Sequence, residues 1–261
     1  MRIADAIERI LASMPERIEG GCDRVIHGDP SAELRGIAAT FLATHEGLER
    51  AAAAGCNLVV THEPTFYNHH DHTDWLGDEP VHRAKRALIE AQGLVVWRLH
   101  DHVHRGWPDA IATGMLRALG WNGREDPAVR NRVRLPPGTT LGSLVSDIKG
   151  RLGIPVVRVV GDLAEPCASV VLLPGACGGQ RQIEQLSVPD AEVVVCGESA
   201  EWETCEYVRD ARAGGRRKAL IVLGHANSEE AGMEAVGADI RALFPGVPYV
   251  WLPTGDPFVT V

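Results

Sequence analysis

The chain has no apolar run approaching the roughly 18 to 20 residues that a bilayer-spanning helix needs. It has no excess of positive charge either. Its 26 Lys and Arg stand against 35 Asp and Glu, a formal net charge of −9. A nucleic-acid backbone and an anionic membrane both favour a basic surface, so neither is expected as a partner. The six cysteines (Cys22, Cys56, Cys167, Cys177, Cys196 and Cys205) include no Cys-x-x-Cys pair. That pattern reads as reduced, buried thiols, with Cys56 and Cys196 packed in the core. Also absent are a Gly-x4-Gly-Lys-Ser/Thr phosphate loop, a Gly-x-Ser-x-Gly nucleophile elbow, low-complexity tracts and any repeat.

What remains is a chain of 261 residues, 45% hydrophobic, enough to bury a sizeable core in one large or two ordinary domains. The first residues place Ile3, Ile7, Ile10 and Leu11 on one helical face, with Asp5 among them. This reads as an amphipathic helix rather than a signal peptide, which makes the cytoplasm the expected location. Helix and strand patterns then alternate. Short apolar runs such as Leu58-Val59-Val60 and Leu94-Val95-Val96-Trp97 suit strands buried on both faces, and Gly55, Gly93 and Gly120 mark helix ends. A strand is expected over 36–44 and a helix over 228–243 with Ser228 as its N-cap. The stretch 123–137, with Asp126-Pro127 and Pro136-Pro137, breaks the alternation. It suggests an α/β domain over 1–125, to which a C-terminal strand within 247–261 could return, and a second α/β domain over 126–246. The expected fold is α/β: two α/β layers with mixed sheets and a metal site at strand ends between them.

Three histidine-bearing segments fall where buried strands should end: Thr61-His62-Glu63-Pro64, Leu99-His100-Asp101-His102-Val103-His104 and Gly224-His225-Ala226-Asn227-Ser228-Glu229. Imidazoles and carboxylates are the donors that first-row divalent metals take, and ligands of open α/β sheets gather at the carboxyl ends of strands. If the chain after Leu99 stays extended, His100, His102 and His104 share a side; if it turns, His100 and His104 still converge. Singly, each has an ordinary alternative. A strand-end histidine is commonly just hydrogen-bonded, and Glu229 alone suits a helix N-terminus. His69-His70-Asp71-His72 reads as a solvated loop, and His27 and His82 as surface residues. Glu198, at another strand end, is either a proton acceptor that orients a ligand or an acid leading a helix. The spacing His100-x-His102-x-His104 lacks the Asp-His ending of the metallo-β-lactamase signature.

The three segments, in this order, resemble the family of NGG-one-interacting factor three, the dinuclear-metal-centre or GTP cyclohydrolase I type 2 homologue proteins. Residues 55–64 are similar to its Gly-x-Asp-Leu-Ile-Ile-Thr-His-His-Pro stretch, 99–104 to His-Thr-Asn-Leu-Asp, and 224–229 to Gly-His-Tyr-x-Ser/Thr-Glu. Weaker echoes lie at 160–162, 175–179 and 196–198. The resemblance implies two divalent ions per subunit (Zn, Fe, Mn, Co or Ni) held by His62, Glu63, His100, His104, His225 and Glu229, with a single ion as the fallback. Glu63 stands where the family has a histidine, and His104 where it has an aspartate. The donor set keeps four imidazoles and two carboxylates, a coupled exchange. With such a centre, a metal-dependent hydrolase acting on a small phosphoester or nucleotide-like substrate is expected, with Glu198 in a supporting catalytic role. The alternative is a non-catalytic, metal-dependent scaffold. The resemblance also implies a homo-oligomer, a ring hexamer.

Overall fold

The computed structural model describes residues 1–106, 108–126 and 129–261. Pro127, part of the junction expected from sequence, lies outside these residues. In chain order the elements are α1 (Ile3–Ala12), β1 (Val25–His27), β2 (Ile37–Thr40), α2 (His45–Ala53), β3 (Leu58–Thr61), α3 (Pro80–Gln92), β4 (Val95–Arg98), α4 (Asp101–Arg105), α5 (Ala110–Ala118), β5 (Arg132–Arg134), α6 (Leu141–Leu152), β6 (Arg158–Val160), β7 (Ser169–Leu173), α7 (Gly179–Ser187), β8 (Val193–Cys196), α8 (Glu206–Ala213), β9 (Ala219–Val222), α9 (His225–Leu243) and β10 (Tyr249–Leu252). Short turns of 3-10 and π helix occupy Asp74–Leu76 and Glu201–Cys205. By internal contacts the chain forms two compact units: Met1–Ile111 with Gly232–Thr254, and Ala112–Ala231 with Gly255–Val261.

The first unit is built on a sheet of order β1-β4-β3-β2-β10. β10, β2, β3 and β4 run parallel, and β1 is antiparallel to β4. All four residues of β2, β3 and β4 are buried, as their unbroken apolar runs require. Alternate residues divide between the faces. Ile37, Leu58, Val60, Val95 and Trp97 pack with Ile3, Ile7 and Ile10 of α1. Ala38, Val59 and Val96 pack with Leu48, Ala51 and Ile89 of α2 and α3.

The second unit repeats the scheme with the order β5-β7-β8-β9-β6. β7, β8 and β9 are parallel; β5 and β6 are antiparallel edges. Val170, Leu172, Val193, Val195 and Ile221 face Leu141, Leu144 and Ile148 of α6. Val171, Val194, Cys196 and Leu220 face Leu186 and Val208. The mixed α/β fold is thus as expected. No disulfide forms among the described residues, and Cys56 and Cys196 are buried. Among the described residues no helix is long and apolar enough to cross a membrane.

Three local expectations are corrected. β2 stops at Thr40 rather than reaching residue 44, because the Thr44 hydroxyl accepts the Gly47 N–H at 3.0 Å and caps α2. α9 begins at His225, not Ser228: the Ser228 N–H already bonds the Gly224 carbonyl at 3.1 Å, so Ser228 and Glu229 sit inside the helix. His82 is buried, its ring set edge-on to Phe66 at 5.0 Å between centroids.

Candidate metal centre

Parallel, in-register β3 and β4 deliver their following residues to one end of the first sheet. Beyond Thr61 the chain is pinned, because the N–H groups of His62 and Glu63 both donate to the Phe41 carbonyl, at 3.1 and 2.9 Å. Pro64 then ends any pairing. The chain after β4 turns into α4, and Asp23 causes the turn. Its carboxylate accepts the N–H groups of His100, Asp101 and His102 at 2.7, 2.8 and 3.0 Å, satisfying the open first turn of a helix. In that helical turn His100 and His104 share a face, one above the other. His102 points elsewhere. Its Nδ1 meets Asp23 at 2.6 Å, and its Nε2 accepts the Ile18 N–H at 3.1 Å.

His62, His100 and His104 come together with ring centroids 4.7 to 4.9 Å apart. One nitrogen from each lies within 4.8 Å of the other two. Each ring has its Nδ1 against an acceptor: His62 on the Leu99 carbonyl at 3.1 Å, His100 on Asp101 at 3.1 Å and His104 on Asp109 at 3.1 Å. An acceptor at Nδ1 fixes the hydrogen there and leaves Nε2 as the lone-pair donor, the arrangement typical of metal-binding histidines. Nε2 of His62 and Nε2 of His104 are 3.1 Å apart. Glu63 Oε1 lies 3.7 Å from His100 Nε2 and 3.9 Å from His62 Nε2. Burial, reinforced by the neighbouring His62 and His104, pushes the His100 imidazole down to about 4, so it is neutral near pH 7.

Arg98, the last residue of β4, is fully buried behind this group. Its Nε donates to the His62 carbonyl at 3.2 Å, Nη1 donates to the His69 carbonyl, and Nη2 lies 3.8 Å from Glu63 Oε2. Beside His100, the Cys22 thiol is pushed up to about 12, chiefly by burial, and stays protonated.

In the second unit, β7, β8 and β9 end together, and three turns follow: Pro174-Gly175, Gly197-Glu198 and Gly224-His225. His225 repeats the geometry of the first group. Its Nδ1 meets Glu198 Oε1 at 2.7 Å, and its Nε2 faces Glu229 Oε2 at 3.2 Å. Glu229 is 2% exposed, a carboxylate too buried to be left without a cationic partner. Ser228 locks the helix start by accepting the Gly175 N–H at 2.9 Å and donating to the His225 carbonyl at 2.8 Å. Gly175 has φ +69, and a Cβ there would fall on Glu229 Oε1 and within 3.2 Å of His225 Nε2. The glycine keeps this cradle open.

The first unit therefore gathers His62, Glu63, His100 and His104, and the second gathers Glu198, His225 and Glu229. The donor chemistry fits a first-row divalent ion: neutral imidazoles of fixed tautomer with carboxylates beside them. Sequence reading missed Asp23, Arg98 and Asp109. A charged residue closing an apolar strand run is a usable signal for Arg98, since a buried charge needs partners. Asp23 and Asp109 carry no local signal, because their partners are distant in sequence or depend on the turn of α4.

Fold and donors together define an α/β protein with His/Glu clusters suited to divalent ions. The family model Duf34/NIF3 (NGG1p interacting factor 3) matches residues 1–254, and the chain belongs to that family. Among curated relatives, a "GTP cyclohydrolase 1 type 2 homolog" of Clostridium perfringens is 24% identical over 243 residues, covering 88% of this chain and 87% of that protein. Among solved structures, a Bacillus cereus protein related to NIF3 superposes with a TM-score of 0.80 at 16% identity, covering 100% of this chain and 99% of that one. A Staphylococcus aureus hypothetical protein gives 0.78 at 16% identity with the same coverage. At such identities the structural matches speak for the fold alone.

Proposed function

We propose that the protein binds divalent metal through His62, Glu63, His100 and His104 and through His225 and Glu229, two ions per subunit. On this reading it hydrolyses a small phosphoester or nucleotide-like substrate. One observation carries the metal reading: four histidines have Nδ1 on an acceptor and Nε2 directed at other donors. When bound, a divalent ion supplies Lewis acidity. The chain's own contribution is orientation and proton handling. Glu198 holds the Nδ1 proton of His225, and its side chain is 57% exposed. It lines an open cleft of about 290 Å³ with Ala176, Gly178, Ser199 and Glu203. On this reading it takes a proton from a group on the substrate side. The name of the Clostridium perfringens relative is in keeping with a nucleotide-like substrate. Family membership supports a homo-oligomer, with a ring hexamer as the proposed form.

The test is metal analysis of freshly purified protein, followed by a phosphoester and nucleotide panel with Mn, Co, Zn or Fe. His62→Ala and His225→Ala should each lower metal content with the fold retained. Wild-type stoichiometry in both variants would remove the metal reading. Metal without turnover across the panel would remove the hydrolase and leave a binding role.

A further inference from the structure

The loop His69-His70-Asp71-His72 follows β3 by eight residues; its three histidines are exposed to solvent, as its composition suggests, but its backbone is anchored. Hydrogen bonds from remote and neighbouring side chains hold it. The carbonyl of His69 accepts from Arg98 and that of His70 from Arg24. That of His72 accepts from Asn68 Nδ2 at 2.7 Å and from Trp75 Nε1 at 2.9 Å. Asn68 Oδ1 takes the His72 N–H at 3.0 Å, and Asp71 Oδ1 takes the Phe66 N–H at 2.6 Å. Tyr67 and Asp71 adopt φ of 65 and 53, and a bulky tyrosine in that region needs a surrounding structure that enforces it.

With the carbonyls engaged by side chains, the three imidazoles stand exposed. No hydrogen bond to their ring nitrogens occurs among the described residues. They also line up. The His72 and His70 rings are 5.5 Å apart between centroids, His70 and His69 4.7 Å, and His69 and His100 6.0 Å. His100 is the ring of the buried group that this file meets, with a side chain 20% exposed against none for His62. A continuous file of imidazoles therefore leads from solvent to the cluster. Imidazole is the commonest protein ligand for borderline divalent ions, and successive rings at such spacing permit exchange one ligand at a time.

We propose that His69, His70 and His72 form a capture site for a divalent transition-metal ion and pass it through His100 to the buried cluster. This rests on the reading of that cluster as a metal site. A cation held on the loop is at high effective concentration for the next ring, so loading is accelerated without any change in the final equilibrium.

The test compares metal-free wild type with the variant His69→Asn/His70→Asn/His72→Asn, which alters only exposed side chains. With limiting, buffered Co(II), the variant should load about tenfold more slowly, yet reach the same stoichiometry. Equal loading rates would overturn the proposal. In His62→Ala/His104→Ala, sub-stoichiometric Co(II) should selectively broaden the ring C–H resonances of the three loop histidines. Absence of that broadening would also overturn it. Broadening in the loop with no Co(II) reaching the cluster of the wild type would sink the metal-centre reading and overturn the transfer with it, leaving capture alone.

Discussion

The Nε2 atoms of His62 and His104 face each other at 3.1 Å, while the Nδ1 atom of each ring lies against an acceptor, the Leu99 carbonyl for one and Asp109 for the other. With both Nδ1 hydrogens committed outward, two lone pairs would oppose one another. A divalent ion between them would take both lone pairs and relieve that opposition. Removing one ring, in His104→Phe, should therefore lower metal affinity about tenfold or more. Competition with a chromophoric chelator measures it. An unchanged affinity would mean that the pair does not bind the ion.

The metal-free protein should lose stability in mild acid because of His100. Its imidazole titrates near 4 when folded, against 6.5 ordinarily, because burial and its histidine neighbours disfavour the charge. Above about 6.5 neither state is protonated and the group is neutral in the balance. Between about 6.5 and 4 the unfolded chain takes a proton that the folded chain refuses, so stability falls as pH falls, on the order of 3 kcal/mol in all. Urea titrations across this window should show the slope in wild type and a shallower one in His100→Gln. Identical slopes would mean that His100 does not carry the charge.

Arg98 should be a keystone of stability. It is fully buried, and its guanidinium joins the His62 carbonyl, the His69 carbonyl and Glu63. Arg98→Met leaves these acceptors without their cation and should cost about 3–5 kcal/mol. Arg98→Lys should recover only part, because an ammonium cannot reach three directions as a planar fork does. Denaturant unfolding of the three proteins checks the order, and a near-neutral Arg98→Met would refute it.

These contrasts mark where sequence reasoning reaches and where it stops. The apolar runs of β3, β4, β8 and β9 announce buried strands, and residues just beyond such strands are delivered to a common end whatever the loops do. Hence His62, Glu63, His100 and His225 were legible. The choice between His102 and His104 was not, because it depends on whether the chain after Leu99 turns, and Asp23, from a distant segment, decides that. α9 starts three residues before the apparent cap Ser228. Its hydroxyl instead serves the Gly175 N–H, a partner no local window contains. The anchoring of the exposed histidine loop was not legible, because its carbonyl bonds come from Arg24 and Arg98, both remote in sequence.

Glu63 and His104 stand in exchanged chemistry relative to the family pattern they resemble, and the structure places both in one group with His62 and His100. If the exchange is coupled, Glu63→His adds an imidazole that His104→Asp compensates. The double variant should bind metal more tightly than either single variant, a non-additivity of about 1–3 kcal/mol between neighbouring sites. Competition with a chromophoric chelator gives the affinities. Single losses that simply add in the double would defeat the coupled exchange.

Gly175 tests the second donor pair through the backbone. At φ +69 any L-residue is strained, and a Cβ would also strike Glu229 and crowd His225. Gly153 supplies the control, since it has φ +66 but nothing within 4 Å of the added carbon. Both alanine variants should lose about 1–2 kcal/mol from the left-handed conformation alone. Only Gly175→Ala should also displace the His225 ring and reduce metal content, because only there does the methyl occupy the space between Glu229 and His225. The ring resonances of His225 and the metal stoichiometry of the two variants separate strain from collision. If both glycines behaved alike, with metal retained in each, the space beside Gly175 would have no part in holding an ion.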